Sequence, residues 1–123
     1  MLVGMRSKTE YAQGENRREL EQLLSGVAAG DCNALEDLYG RTRTAVYGLA
    51  LSYLKNPQDA EEVLQETYLK IWTSAGSYKP QGKPLAWMFT IARNLCYMKF
   101  RDQKRMADVG LDDLSGEEAG DLC

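Results

Sequence analysis

The chain has 123 residues, 44% hydrophobic and 27% charged, which suits one compact domain with a single apolar core. Its eleven glycines and three prolines are too few for a collagenous or broadly disordered chain, and no apolar run is long enough to span a membrane. The absence of histidine excludes Ser-His-Asp catalysis and imidazole metal sites. The net charge of -3 argues against a nucleic-acid binder when taken as a whole, but the charges are unevenly distributed.

Residues 1–17 are polar and lack helical periodicity, which predicts a flexible leader. They contain no apolar segment of the kind found in signal peptides, so we expect a cytoplasmic protein. Helical spacing begins after this segment and predicts a first amphipathic helix, with apolar positions at Leu20, Leu23, Leu24 and Val27.

A second helix is predicted after Gly30 and Asp31, which supply a helix stop and an N-cap. Its apolar positions keep a period near 3.6 as far as Leu54, and we expect it to be the longest helix. Asn56 and Pro57 then interrupt the chain, and Pro57 suits the first turn of a third helix that ends near Ser74.

The third helix has two distinct faces. The face expected in the core comprises Ala60, Leu64, Thr67 and Ile71, flanked by Val63 and Tyr68. The opposite face comprises Glu62, Gln65, Glu66 and Leu69. Such a face is either a solvated acidic surface with one exposed leucine or a docking surface for a protein partner. Carboxylate catalysis is disfavoured there, because a charged helical surface rarely shifts pKa values.

A loop rich in glycine and proline follows, from Gly76 to Pro84, and a fourth helix is predicted from Leu85 to about Met106. Between Lys83 and Met106 six cations stand against one acid, whereas residues 107–123 carry six acids and no cation and predict an acidic linker or disordered tail. The basic stretch suits either nucleic-acid binding or a solvated surface that balances the acidic segments. Trp87 is expected to pack in the core, while Trp72 suits either the core or the acidic face.

Two motifs together carry a resemblance to a known family. They are Asp59-Ala60-Glu61-Glu62-Val63-Leu64-Gln65-Glu66-Thr67-Tyr68-Leu69-Lys70-Ile71-Trp72 and, after the loop, Leu85-Ala86-Trp87-Met88-Phe89-Thr90-Ile91-Ala92-Arg93-Asn94. In this order and spacing, the chain resembles region 2 of bacterial RNA polymerase sigma factors of the extracytoplasmic-function group. The resemblance implies an all-α fold, a compact bundle of about four helices over residues 18–106.

The resemblance also implies a transcription initiation factor domain with no enzymatic activity, no catalytic residue, no metal and no cofactor. The third helix would dock on the beta-prime clamp helices of RNA polymerase core through Asp59, Glu62, Gln65, Glu66 and Leu69. The loop and fourth helix would recognise and melt the promoter minus-ten element and bind its non-template single strand. The implied DNA-binding residues are Ser77, Tyr78, Lys79, Gln81, Lys83, Arg93, Asn94, Tyr97, Lys99 and Arg101.

Asn94 is the residue expected to read a base, because an amide presents both a donor and an acceptor, while the cations would hold phosphates. Tyr97, Met98 and Phe100 make the basic helix more apolar than the family pattern, so we expect weak DNA affinity for the isolated domain. The alternative is a protein interaction module that binds polymerase or an anti-sigma factor without reading DNA.

Overall fold

The computed structural model describes residues 16–80 and 82–109, and within these ranges the protein is helical with no strand. Helix α1 covers residues 16–28. The other elements are α2 (Cys32–Leu54), α3 (Pro57–Ser74), a 3₁₀-helix (Ala75–Ser77) and α4 (Pro84–Val109). The predicted all-α bundle is confirmed. The predicted leader and acidic tail lie largely outside the described residues, and the domain limits at 18 and 106 stay predictions.

The helix boundaries follow from capping groups that the sequence supplies. The Asn33 N–H donates to Asp31 Oδ1 at 3.0 Å, which caps α2. Lys55 ends α2 in a left-handed conformation with φ of 55°, and its N–H donates to the Leu51 carbonyl. Asn56 then caps α3 by accepting the backbone N–H groups of residues 58 and 59.

One prediction about helix length is wrong. Helix α4 has 26 residues and is longer than α2, which has 23. The stretch that follows the fully buried Cys96 remains helical because it is rich in arginine, lysine, glutamine and methionine, all good helix formers. The helix therefore extends to Val109, beyond the predicted end near Met106.

All four helices contribute to the apolar core. The main cluster includes Leu20, Leu24 and Val27 of α1, Leu35, Leu38 and Val46 of α2, Leu64, Tyr68 and Ile71 of α3, and Met88 and Ala92 of α4. A smaller cluster joins Ala50, Ala60, Val63 and Cys96. Every residue of the predicted core face of α3 is buried, which confirms the assignment of its two faces.

The buried polar side chains are hydrogen-bonded. The Thr67 hydroxyl donates to the Val63 carbonyl at 2.7 Å, and the Thr42 hydroxyl contacts both the Leu38 carbonyl and the Tyr68 hydroxyl. Burial raises the pKa of Tyr68 to about 12 and outweighs the lowering effect of the Thr42 hydrogen bond. Within residues 16–80 and 82–109, no buried side-chain nitrogen or oxygen lacks a partner.

Candidate nucleic-acid interface

A surface pocket of about 350 Å³ lies where the loop before α4 meets the first turns of that helix. We call it the loop pocket, and it is lined by Ser77, Tyr78, Lys79, Lys83, Ala86, Trp87 and Thr90. Its volume is near the lower end of the range for small-molecule sites. The structure therefore brings together four loop residues that were predicted to contact DNA, while the fifth, Gln81, lies outside the described residues.

Aromatic rings form one wall of the loop pocket. The Tyr78 and Trp87 ring centroids are 5.2 Å apart, and their planes are tilted by 58°. Trp87 is half-buried and packs against the main core as predicted, yet it also lines the pocket. Aromatic faces and lysine ammonium groups in one concave site suit a nucleobase and its phosphate.

A glutamate from α1 also contacts this loop. Glu21 Oε2 accepts a hydrogen bond from the Tyr78 hydroxyl at 2.7 Å and a second one from the Gly82 N–H, also at 2.7 Å. Gly82 has φ of +78°, a left-handed conformation that favours glycine. The Tyr78 hydroxyl is thus engaged within the protein, so the residue presents its ring rather than its hydroxyl group to the pocket.

The outward face of α4 continues from the loop pocket. Thr90, Asn94, Tyr97 and Arg101 follow at helical spacing on one exposed side of α4, with the half-buried Arg93 beside them. We call Arg93, Asn94, Tyr97 and Arg101 the basic face. Neither arginine forms an ion pair within the described part of the chain. Both guanidinium groups are therefore available to a phosphate.

Tyr97 is the most exposed large apolar side chain of the described residues, with 52% of its surface accessible. Its ring makes an edge-on contact with Tyr53 of α2 at a centroid distance of 5.8 Å. The Tyr53 side chain raises the pKa of Tyr97. A tyrosine phenol is neutral at physiological pH in any case, so it does not repel phosphate. The exposed ring is suited to stacking on an unpaired base.

Lys99 lies on a different side of α4 from the basic face. Its ammonium group forms an ion pair with Glu62 of α3 and lies 4.0 Å from an Asp59 carboxylate oxygen. Gln103, one turn further along α4, donates to Asp59 at 2.9 Å. The structure thus joins one residue predicted to bind DNA to two residues predicted to bind polymerase, and it does not group Lys99 with Arg93 and Arg101.

The remaining predicted docking residues form an exposed patch on α3. Gln65 and Glu66 are exposed, and Leu69 is half-buried. Neither Gln65 nor Glu66 contacts another side chain through a hydrogen bond or ion pair within residues 16–80 and 82–109. We use the term acidic face for Glu62, Gln65, Glu66 and Leu69.

The sequence left Trp72 undecided between the core and the acidic face. In the structure it is half-buried and packs against the main core.

A second pocket adjoins the loop pocket in the groove between α3 and α4. It has a volume of about 240 Å³ and shares Ser77 and Trp87 with the loop pocket. Its other lining residues are Lys70, Ser74, Ile91, Asn94, Leu95 and Met98. Asn94 therefore lies at the border between this groove and the basic face.

Among residues 16–80 and 82–109 there is no cluster of acidic or cysteine side chains suited to a metal ion.

Three contributors to the site were missed by the sequence analysis. Thr90 and the pocket-lining edge of Trp87 were detectable in principle, because each is one or two helical turns from Asn94 on the same helix. Glu21 carried no detectable signal, because it is separated by 57 and 61 residues from the loop groups that it binds.

No described helix is both long enough and apolar enough to cross a membrane.

The chain is similar to known proteins along most of its length. The family model for sigma-70 region 2 matches residues 38–106. The "ECF RNA polymerase sigma factor SigK" of Mycobacterium sp. (strain KMS) is 41% identical over 87 residues, which cover 70% of this chain and 45% of that protein. The protein of the same name from Mycolicibacterium vanbaalenii is 33% identical over 112 residues, or 85% of this chain and 57% of that protein. No solved structure matches the chain.

The chain spans about half the length of the curated relatives it matches. The family match begins within α2 and continues through α3, the loop and most of α4. It therefore contains the loop pocket, the basic face and the acidic face, while α1 lies before its first residue.

Proposed function

The chain belongs to the sigma-70 region 2 family, and from that membership we propose that it is a transcription initiation factor domain. It binds RNA polymerase core and recognises and melts the promoter minus-ten element. The observation that supports this proposal best is the continuity of the loop pocket with the basic face along α4. We assign it no enzymatic reaction of its own, and we place it in the cytoplasm with the polymerase.

In this proposal the non-template strand follows α4 after the duplex opens. A flipped base enters the loop pocket, where Trp87 and the Tyr78 ring provide apolar surface and Lys79 and Lys83 bind the adjoining phosphates. Asn94 presents its amide to a base edge, and Arg101 neutralises the backbone. Tyr97 stabilises the opened strand by stacking on an exposed base.

Base reading and phosphate binding predict different effects of substitution. Asn94→Ala should lower the preference for a cognate over a scrambled minus-ten strand, because a lost base contact is worth about 1–3 kcal/mol. Arg101→Ala should weaken both strands similarly and reduce the salt dependence by about one phosphate contact. Lys99→Ala should change the salt dependence less than Arg101→Ala, because Lys99 is already paired with Glu62.

The measurement is fluorescence anisotropy at several salt concentrations, with the protein bound to polymerase core because the isolated domain is expected to bind weakly. The cognate strand is first selected from a randomised single-stranded pool with the wild-type complex. Arg43→Ala is the matched control, since Arg43 is an exposed cation of α2 that lies over the Tyr39 ring instead of on α4. Equal effects of Asn94→Ala on both strands would contradict its role as a base reader.

The acidic face supplies the proposed contact with the polymerase beta-prime clamp helices. Glu66→Lys combined with Leu69→Ala should weaken polymerase binding with little change in thermal midpoint, because surface substitutions usually alter stability by less than about 0.5 kcal/mol. Glu61→Lys is the matched control, because Glu61 is an exposed acid of α3 outside the acidic face. Unchanged polymerase affinity in a titration of the double variant would identify this face as an ordinary solvated surface.

A protein interaction module is the second candidate, and one observation favours it. Three large apolar side chains of α4 are exposed: Tyr97 (52%), Met98 (45%) and Phe100 (42%). Exposed apolar side chains of this kind also suit an anti-sigma factor that covers α4. Retained polymerase binding without any preference among single-stranded sequences would support this candidate over the promoter-reading domain.

A further inference from the structure

The Glu21 contact joins two structural units that are far apart in the sequence. A single carboxylate oxygen of Glu21 accepts hydrogen bonds from two positions of the loop, the Tyr78 hydroxyl and the Gly82 N–H. Glu21 itself is half-buried at the surface of α1, whose neighbouring residues Leu20 and Leu24 are anchored in the core. The carboxylate therefore connects the loop to a helix that the core holds in place.

This contact acts on the wall of the loop pocket. Tyr78 contacts Glu21 through its hydroxyl and Trp87 through its ring, so fixing the hydroxyl also fixes the position of the ring. The Gly82 bond orients the backbone directly before Lys83, another lining residue. An unrestrained loop loses conformational entropy when a ligand orders it, and a preformed loop avoids part of this loss.

Electrostatics excludes a direct role for Glu21 in holding the strand. A carboxylate repels phosphate, so the negative charge of Glu21 beside a loop with two lysines weakens binding of the DNA backbone instead of strengthening it. The carboxylate instead accepts two short hydrogen bonds, and hydrogen bonds to a charged acceptor belong to the stronger class. Its effect is therefore on the shape of the pocket rather than on attraction of DNA.

We infer that Glu21 is a positioning residue for the loop pocket, which sets the selectivity of that pocket for the flipped base of the minus-ten strand. The inference rests on the proposed function. It predicts that loss of the contact reduces discrimination between strands more than it reduces overall affinity.

The test uses the complex of the protein with polymerase core and two single-stranded probes: the strand selected from a randomised pool by the wild type, and its scrambled counterpart. Glu21→Ala should lower the ratio of their affinities about five- to tenfold, with little change in polymerase affinity. Glu21→Gln should restore most of the ratio, because the amide oxygen accepts both hydrogen bonds. Tyr78→Phe removes one donor and keeps the ring, so it should give a partial loss.

Glu19→Ala is the matched control, because Glu19 is also an acid of α1 but pairs with Arg41 of α2 at 2.6 Å. Suppose that each variant, Glu19→Ala and Glu21→Ala, changes the affinity for the two strands by the same factor. The effect is then one of charge, and the inference is wrong. An unchanged affinity ratio in Glu21→Ala also overturns it. A wild-type complex that does not discriminate between any strands instead overturns the proposed function, which separates the two failures.

Discussion

Tyr68 shows how one buried polar side chain makes the fold sensitive to pH. Its ring packs edge-on against Tyr39 with centroids 4.9 Å apart, and its hydroxyl contacts Thr42. Burial raises its pKa from 10.0 to about 12, so the folded protein retains this proton at a pH where the unfolded chain loses it. The protonated Tyr68 therefore contributes its full stabilisation of the folded state below pH 10, and this contribution is lost as the pH rises toward 12.

We predict that Tyr68→Phe reduces the alkaline loss of stability. The wild type should lose roughly 2–3 kcal/mol through this group between pH 10 and 12, a loss that the phenylalanine variant lacks. Urea unfolding of both proteins across that interval measures the difference. Parallel stability curves would show that the Tyr68 hydroxyl does not contribute to the alkaline transition.

The role of a single residue was predictable from sequence where it depended on its own helix. The exposure of Asn94 and Arg101 follows from the periodicity of α4. The ion pair of Lys99 with Glu62 was not predictable, because the two residues are 37 positions apart in the sequence and meet only through the packing of α3 against α4. The family resemblance implied a DNA-binding role for Lys99, and that role stays a prediction.

Helical periodicity was sufficient to predict most of the packing at the level of elements. It placed the buried and exposed sides of α3 correctly, because an amphipathic helix must bury its apolar side. It did not predict how closely α1 and α2 approach each other, since that distance depends on side-chain size at one crossing point. A Cβ atom added at Gly26 of α1 would lie only 2.9 Å from the Cβ of Ala34 in α2.

Gly26→Ala should therefore destabilise the protein by about 1–3 kcal/mol, because the two helices must move apart. Gly40→Ala is the matched control, since Gly40 lies in α2 with no atom within 4 Å of an added Cβ. That substitution should stabilise the fold by about 0.5–1 kcal/mol through helix propensity. Urea unfolding checks both values, and a stabilising Gly26→Ala would show that the α1–α2 contact is looser than described.

At the scale of the whole molecule, the proposed function depends on keeping unlike charges apart. The chain has 15 basic and 18 acidic residues, yet the basic face of α4 and the acidic face of α3 are separate surfaces. The pair formed by Lys99 and Glu62 lies where the two helices meet. Composition alone did not predict this separation, although the distribution of charge along the chain did.

The burial of α1 also determines how short a folding unit can be. Leu20, Leu24 and Val27 are 1%, 1% and 2% exposed, and all three precede the family match at residues 38–106. Burying a large apolar side chain contributes about 1.5–3 kcal/mol, so their loss approaches the 5–15 kcal/mol that typically stabilises a domain. A fragment trimmed to 38–106 should show no cooperative melting by circular dichroism, whereas one that starts at residue 16 should melt cooperatively. The autonomous unit would then be larger than the segment by which its family is recognised.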